Sequence, residues 1–240
     1  MKFPVDSYDL KARYAPGLLL ALPVLLTMWT CFNTEIKEIS NFIGALLSAA
    51  ITYGLSVIVR AMGKRLEPKL KKEWGGFPST IIVTKNDMTL RAEIKAQYLT
   101  AASTYLGLPI PSAQDEIDNP QMAFQMLDQI FSRIKGVIRD RDKDGLWFIA
   151  NAEYGFARNL YGSRDIWFVL CGLGVVTCLI FLFARYDNLV LLGLILNVLV
   201  LAACIILGWA ILPRLTKELG FRYAEHSWES FFNICQTRRI

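Results

Sequence analysis

The sequence predicts an all-α, polytopic membrane protein: two transmembrane helical hairpins flanking a small, mostly helical cytosolic domain. Three observations carry this. Four stretches are apolar and long enough to cross a bilayer core of about 30 Å, which takes roughly 20 helical residues. The gaps within each pair of stretches hold only tight turns. Lysine and arginine gather on one side of the spans. Composition agrees: 54% of the 240 residues are hydrophobic and 20% charged, with mean hydropathy +0.36. That is too apolar for an ordinary water-soluble domain, yet charged enough for a part that faces water.

The first span runs from Tyr14 to Thr34 without a charge. The turn Glu35-Ile36-Lys37-Glu38 follows, then a second uncharged span from Ile39 to Val59. Ile166 to Ala184 is the third span. Arg185-Tyr186-Asp187 turns the chain into the fourth, Asn188 to Pro213. Continuous apolarity without a polar face argues against four buried helices of a soluble core. Tyr14, Trp29, Trp167, Tyr186 and Trp209 lie near span ends, where interfacial aromatic belts are expected. The first span has no small-residue cleavage site after it and reads as a signal anchor rather than a removed signal peptide.

Orientation follows from the basic residues. Lys2, Lys11 and Arg13 precede span one; Arg60, Lys64, Arg65, Lys69, Lys71 and Lys72 follow span two. Arg214, Lys217, Arg222, Arg238 and Arg239 follow span four, while the two turns hold only Lys37 and Arg185. The positive-inside rule puts both termini and the central segment in the cytosol, at a plasma (inner) membrane. It also accounts for the net charge of +5 without nucleic acid. The basic residues after span two meet anionic headgroups, each contributing about 1 kcal/mol at most. The layout is a tail at 1–13, a hairpin at 14–59, the cytosolic domain at 60–165, a hairpin at 166–213 and an amphipathic cytosolic tail at 214–240.

Within the cytosolic domain, Arg60 to Trp74 continues span two as a basic helix, with a bend expected at Pro68. Gly75-Gly76-Phe77-Pro78 breaks it. Thr80 to Thr84 is β-prone and reads as one short strand. Asp87 is placed to cap a helix over Met88 to Leu106, which Gly107, Pro109 and Pro111 end. Asn119 caps a second helix with Pro120 at its first position. Its apolar face is Ala123, Met126, Leu127, Ile130, Ile134, Val137 and Ile138, a period of about 3.6 residues. A third amphipathic segment covers Leu146 to Tyr161. In the tail, Leu215, Leu219, Tyr223, Trp228 and Phe231 are available for burial.

The sharpest local motif is Asp140-Arg141-Asp142-Lys143-Asp144-Gly145. It resembles the start of an EF-hand calcium loop: carboxylates of Asp140, Asp142 and Asp144 at positions 1, 3 and 5, glycine at 6, Trp147 at the hydrophobic position 8. Calcium is therefore the one cofactor the sequence suggests. Position 12 departs from the pattern, since Asn151 stands where the bidentate glutamate belongs and Glu153 comes two residues late. The bland reading is a charged turn between helices.

Span two carries Gly44, Ser48, Thr52 and Ser56 at intervals of four, one ridge of small residues suited to helix packing or to lining a pore. Asn197 is the strongly polar side chain deep in span four and needs a partner on a neighbouring helix or subunit. No charge lies mid-span, which argues against an ion-coupled transporter. The five cysteines, Cys31, Cys171, Cys178, Cys204 and Cys235, form no CxxC pair and read as buried thiols without disulfides.

Enzyme motifs are absent: no Walker loop, GxSxG or HExxH. A histidine dyad would have to use His226. Ser132 and Lys135 match SxxK spacing on a helix rich in both types. No catalytic residue is assigned, and the chain reads as a non-enzyme.

Two further blocks are Glu73-Trp-Gly-Gly-Phe-Pro-Ser-Thr80 and Glu153-Tyr-Gly-Phe-Ala-Arg-Asn-Leu-Tyr-Gly162. They resemble an uncharacterised family of prokaryotic four-span inner-membrane proteins, over roughly the central half of the chain. The resemblance implies the four-span layout and no activity. The blocks' tryptophan, paired glycines and Arg-Asn pair suggest tight packing of the domain against the bundle.

Three functions are expected in turn. The first is an oligomeric membrane effector whose cytosolic domain senses a protein or small-molecule ligand and whose spans perturb the membrane as a pore, by analogy a stress or antiphage (antiviral) defence role. The second is an anchor or scaffold for a cytosolic partner. The third is a metal-dependent membrane enzyme using Asp140, Asp142, Asp144 and Glu153. The expected partners are the lipid bilayer and further copies of the chain.

Overall fold

A computed structural model describes residues 7–32 and 41–237, with backbone alone for 41 and 42. The turn expected at Glu35 to Glu38 lies outside these residues. All regular structure among them is helical, and four helices are long and apolar enough to span a membrane.

Helix α1 is Ser7–Cys31, α2 Asn41–Trp74, α3 Pro78–Ile81 and α4 Ala92–Leu106. Helix α5 is Ala113–Asp118, α6 Pro120–Arg141, α7 Leu146–Gly162, α8 Arg164–Ala184 and α9 Asn188–Thr237. Two stretches, Leu10–Tyr14 and Ile206–Ile211, are wound as wider π-helix. The chain divides into two compact units, one from residues up to 67 with 155–216, the other from 68–154 with 217 onward.

In the first unit α8 and α9 pack on one another, and α1 packs on both. Their link is short because Asp187 caps α9, its Oδ1 accepting from Leu189 N at 2.8 Å. Arg185 ties the link to α1 by donating to the carbonyl of Cys31 at 2.5 Å. Helix α2 meets α1 at one close crossing. A Cβ on Gly17 would stand 2.9 Å from the Ser56 Cα, so only glycine fits there. Above that crossing α2 is uncovered: Leu46 is 61% exposed and Ile43 54%.

Trp29, Tyr186 and Trp209 are exposed near span ends, as an interfacial belt requires. Trp167 differs. It is 2% exposed and belongs to the packed interior of the unit. A large ring contributes more by filling the bundle than by standing at its rim.

In the second unit the amphipathic face of α6 is buried as its period demands: Ala123, Leu127, Ile130, Ile134 and Ile138, with Phe131 beside them. Met126 and Val137 are half-buried. Against this face pack Ile82, Val83, Ala102 and Trp147, and from the end of α9 Ala224, Trp228 and Phe231. Trp228 is fully buried, stacks on Tyr98 with centroids 6.0 Å apart, and donates through Nε1 to the Ser79 carbonyl at 2.8 Å.

That last bond bears on the first correction. The expected strand at Thr80 to Thr84 is instead the helical turn α3 and its exit. Pro78 sits at the first helical position, and Ile82 N closes on Pro78 O at 3.0 Å. Thr80 is held by its hydroxyl donating to the Asp128 carboxylate, which also takes Lys71 Nζ at 3.1 Å. Tertiary bonding to α6 and α9 overrides the β propensity of a threonine-isoleucine run.

The second correction is the start of α4, at Ala92 rather than Met88, and not capped by Asp87. Asp87 Oδ1 accepts from Thr89 N at 2.9 Å in a local turn. Lys95, 7% exposed, holds that loop by donating to the carbonyls of Thr84 at 2.6 Å and of Asp87. Gly107 ends α4 in the left-handed conformation, φ 65°. Asn119 caps α6 as expected, accepting from Met122 N at 3.3 Å. The short helix α5 was not anticipated; Ser112 and Asp115 close a capping box over it.

Candidate functional site

The second unit holds a groove of about 610 Å³ between α4 and the end of α9. Its walls follow from helical spacing. Ala96, Gln97, Thr100, Ala101 and Thr104 line one side, and Phe232, Cys235 and Gln236 the other, with Tyr105 at one end. The side chains of Gln97, Thr100, Thr104 and Gln236 make no hydrogen bond among the described residues, and all four are exposed. The wall thus offers hydroxyls and amides, two aromatic rings and no charged group. Such a lining suits an uncharged, hydrogen-bonding ligand or segment. Tyr98 stands behind it, its ring 5.5 Å from that of Phe232. Burial raises the pKa of the Tyr98 phenol, helped by the carboxylates of Glu229 and Glu225.

None of these groove residues stands out in the sequence beyond the α4 helical pattern. The one available signal is a run of uncharged polar and small residues on an exposed helix face, where charges are usual.

Asp142 Oδ2 accepts from Ser230 Oγ at 2.5 Å, and the Asp142 carbonyl accepts from Trp147 Nε1. Gly145 is required by this arrangement, since a Cβ there would stand 2.1 Å from Asp142 Oδ2. Asp140 and Asp144 are exposed. Among the described residues no three His, Cys, Asp or Glu gather as a metal site.

The span-two ridge packs against its own unit at its Ser56 end, while a Cβ on Gly44 would meet none of the described residues within 4 Å. Gly44, Ser48 and Thr52 are half-buried and Ser56 is fully buried against Gly17. Ser48 Oγ donates to Gly44 O at 2.9 Å and Ser56 Oγ to Tyr53 O at 2.7 Å, so both hydroxyls return to their own helix.

Asn197 has its expected partner on another helix. Its Nδ2 donates to Thr27 Oγ1 at 3.3 Å and to Gly193 O at 2.9 Å, and points at Cys178 Sγ at 3.7 Å. Thr27, Thr30, Cys31, Cys178 and Asn197 are all buried, forming a polar cluster shared by α1, α8 and α9. Cys31 Sγ and Cys178 Sγ are 3.7 Å apart. No sequence signal brings these two together across 147 positions.

Arg158 and Asn159, from the second block, organise the first unit. Asn159 Oδ1 accepts from Arg158 Nη2 at 3.1 Å, and Arg158 Nη1 donates to the Glu67 carboxylate. Gly63 makes room, since a Cβ there would overlap Asn159. His226 faces Glu229, Nδ1 to Oε2 3.4 Å, and has neither Ser nor Cys beside it among the hydrogen bonds of the described residues.

Compared with family models, with curated proteins and with solved structures, the chain matches none.

Proposed function

We propose that the protein is an oligomeric integral membrane protein of the plasma membrane, with both termini and the second unit in the cytosol. Its cytosolic unit senses an uncharged ligand or protein segment at the α4–α9 groove. Its spans respond by perturbing the membrane, as a stress or antiphage effector would.

The observation that carries self-association is the uncovered second span. Its most apolar stretch is 11% buried, against 44%, 22% and 22% for the other three. The bare face is not simply a greasy surface for lipid. Ala45, Ala49, Ala50 and Gly54 are exposed on it, and a Cβ on Gly54 would meet nothing within 4 Å. Small residues of this kind let membrane helices approach closely.

The first test is the native mass of the detergent-purified protein, followed by ion flux from liposomes. The expected result is an assembly of four or more copies whose flux is abolished by Thr52→Leu. A monomer or dimer leaves too few helices for a water-filled lumen, and flux unchanged by Thr52→Leu would remove the pore.

A second reading is a membrane anchor for a cytosolic partner. The back-bonded hydroxyls of Ser48 and Ser56 favour it, because they leave span two fewer polar groups with which to line a channel. It expects one specific protein to co-purify with the full chain. It also expects Ala96→Trp, in the groove wall, to release that protein while leaving the native mass unchanged.

A further inference from the structure

The third span opens on a charged pair that no reading above uses. Arg164 is the first residue of α8 and Asp165 the second. Arg164 Nε stands 3.6 Å from Asp165 Oδ1, and the Asp165 side chain is 80% exposed. A pair this open to its surroundings contributes little to stability. Its arginine is nonetheless fixed from three directions. The guanidinium lies over the ring of Tyr161 at 4.8 Å and over that of Trp209 at 5.0 Å. Nη1 donates to the carbonyl of Gly208 at 3.4 Å, within the π-wound stretch Ile206–Ile211. A Cβ on Gly208 would stand 3.3 Å from the Arg164 Cβ, so glycine there lets the arginine stem lie against α9. Among the described residues Nη2 makes no hydrogen bond, and it is not enclosed. The cation is thus oriented before any anion arrives, with N–H donors left over.

The pair stands where an apolar span begins, which is the depth of lipid headgroups. Down the same outward face of α8 follow Phe168, Leu173 and Val176, all exposed. Trp209 of α9, also exposed, stands edge-on to Phe168 with ring centroids 5.9 Å apart. Gly172, one turn below Phe168, leaves a step in this face, since a Cβ there would meet none of the described residues within 4 Å. A headgroup at the charged pair therefore has aromatic and apolar surface directly below it for glycerol and acyl chains. The phosphate of any phospholipid answers Arg164. Asp165 adds discrimination. It repels a headgroup of net negative charge, and it accepts hydrogen bonds from a primary ammonium, which a trimethylated ammonium does not donate.

Resting on the reading of the four helices as membrane spans, we propose that Arg164 and Asp165 form a binding site for a zwitterionic phospholipid with a primary ammonium headgroup, of the ethanolamine class. The phosphodiester takes the guanidinium of Arg164 and the ammonium takes the carboxylate of Asp165. Trp209 and Phe168 border the glycerol and the upper acyl chains.

The test uses the full chain, purified in detergent and presented with dioleoyl phosphatidylethanolamine, phosphatidylcholine or phosphatidylglycerol. Lipid retained on the protein is read by native mass spectrometry. The expected result is phosphatidylethanolamine retained about tenfold over each of the other two. Asp165→Asn should bring it down to the level of phosphatidylcholine, and Arg164→Gln should lower all three. Asp165 is exposed, so its variant decides if Arg164→Gln fails to fold. Glycerophosphoethanolamine, the same headgroup without acyl chains, should not displace the lipid. Equal retention of the three lipids, a preference for phosphatidylglycerol, an ethanolamine preference that survives Asp165→Asn, or displacement by the soluble headgroup would each overturn the proposal. Flotation of the chain with liposomes checks the span reading separately. A chain that floats but shows no lipid preference overturns the site alone, and one that fails to float overturns both.

Discussion

Asn159 Nδ2 donates to the carbonyl of Ala12 at 2.7 Å, across 147 positions of sequence and in a site closed to solvent. Ala12 lies in the π-wound stretch Leu10–Tyr14. The amide of Asn159 ties α7 to that stretch, and its oxygen takes the guanidinium of Arg158. Removing it leaves a buried carbonyl unmet, while Arg158 keeps its ion pair with Glu67. Asn159→Ala should lower stability by about 1–3 kcal/mol, the cost of leaving buried polar groups unmet. Thermal unfolding in detergent checks this. Arg222→Gln, which breaks only the exposed pairs with Glu153 and Glu218, is the control and should cost about 0–1 kcal/mol.

Trp228 anchors the second unit, buried in full between Tyr98 and Phe131 and bonded to the Ser79 carbonyl. Trp228→Ala should cost about 3–5 kcal/mol, through the lost ring and the cavity it leaves. Trp228→Phe keeps most of the apolar volume but frees the Ser79 carbonyl, and should cost less. Chemical denaturation followed by fluorescence separates the two.

Lys95 acts through its ammonium. Its Nζ holds the carbonyls of Thr84 and Asp87 while its stem is buried. Lys95→Met keeps the stem and removes the donors. Hydrogen exchange over residues 84–91 should quicken, with a loss of about 1–3 kcal/mol from the two stranded carbonyls. Unchanged exchange there would mean the loop is held by something other than this lysine.

Asp142 separates a structural role from a metal role. Its carboxylate takes the Ser230 hydroxyl, which ties the loop after α6 to α9. Asp142→Ala should therefore reduce stability equally with and without added calcium. A loss seen only in the presence of calcium would support the ion-binding reading of Asp140, Asp142 and Asp144.

Two groups set opposite limits on pH. The Tyr98 phenol titrates higher in the folded chain, because burial and the carboxylates of Glu229 and Glu225 disfavour its anion. Its contribution is complete below the ordinary tyrosine range and is lost as pH rises through the folded value. The Asp115 carboxyl titrates lower, because the Ser112 side chain and backbone bond its charged form. Its contribution is present above the ordinary aspartate range and is lost as pH falls through the folded value. Tyr98→Phe should flatten the alkaline side of a stability–pH curve and leave the acid side unchanged. Asp115→Asn should do the reverse.

The sequence by itself determined the helices and their chemistry class. Span length, the 3.6-residue period of α6, and Asn119 with Pro120 at its start are local properties that each segment carries with it, and the structure repeats them. Where bonding at a distance competes with local preference, reading by residue goes astray. Thr80 to Thr84 prefers an extended form in isolation, but Asp128 and Trp228 hold it as a turn. Trp167 has the composition of a belt residue, but packing places it inside. The polar partner of Asn197 could be expected from the cost of an unpaired amide in lipid, yet its identity, Thr27, depends on which spans adjoin. The contact of Cys31 with Cys178 and the groove between α4 and α9 were decided only by tertiary structure. Both are made by residues far apart in the chain, and nothing in either segment alone encodes the other's approach.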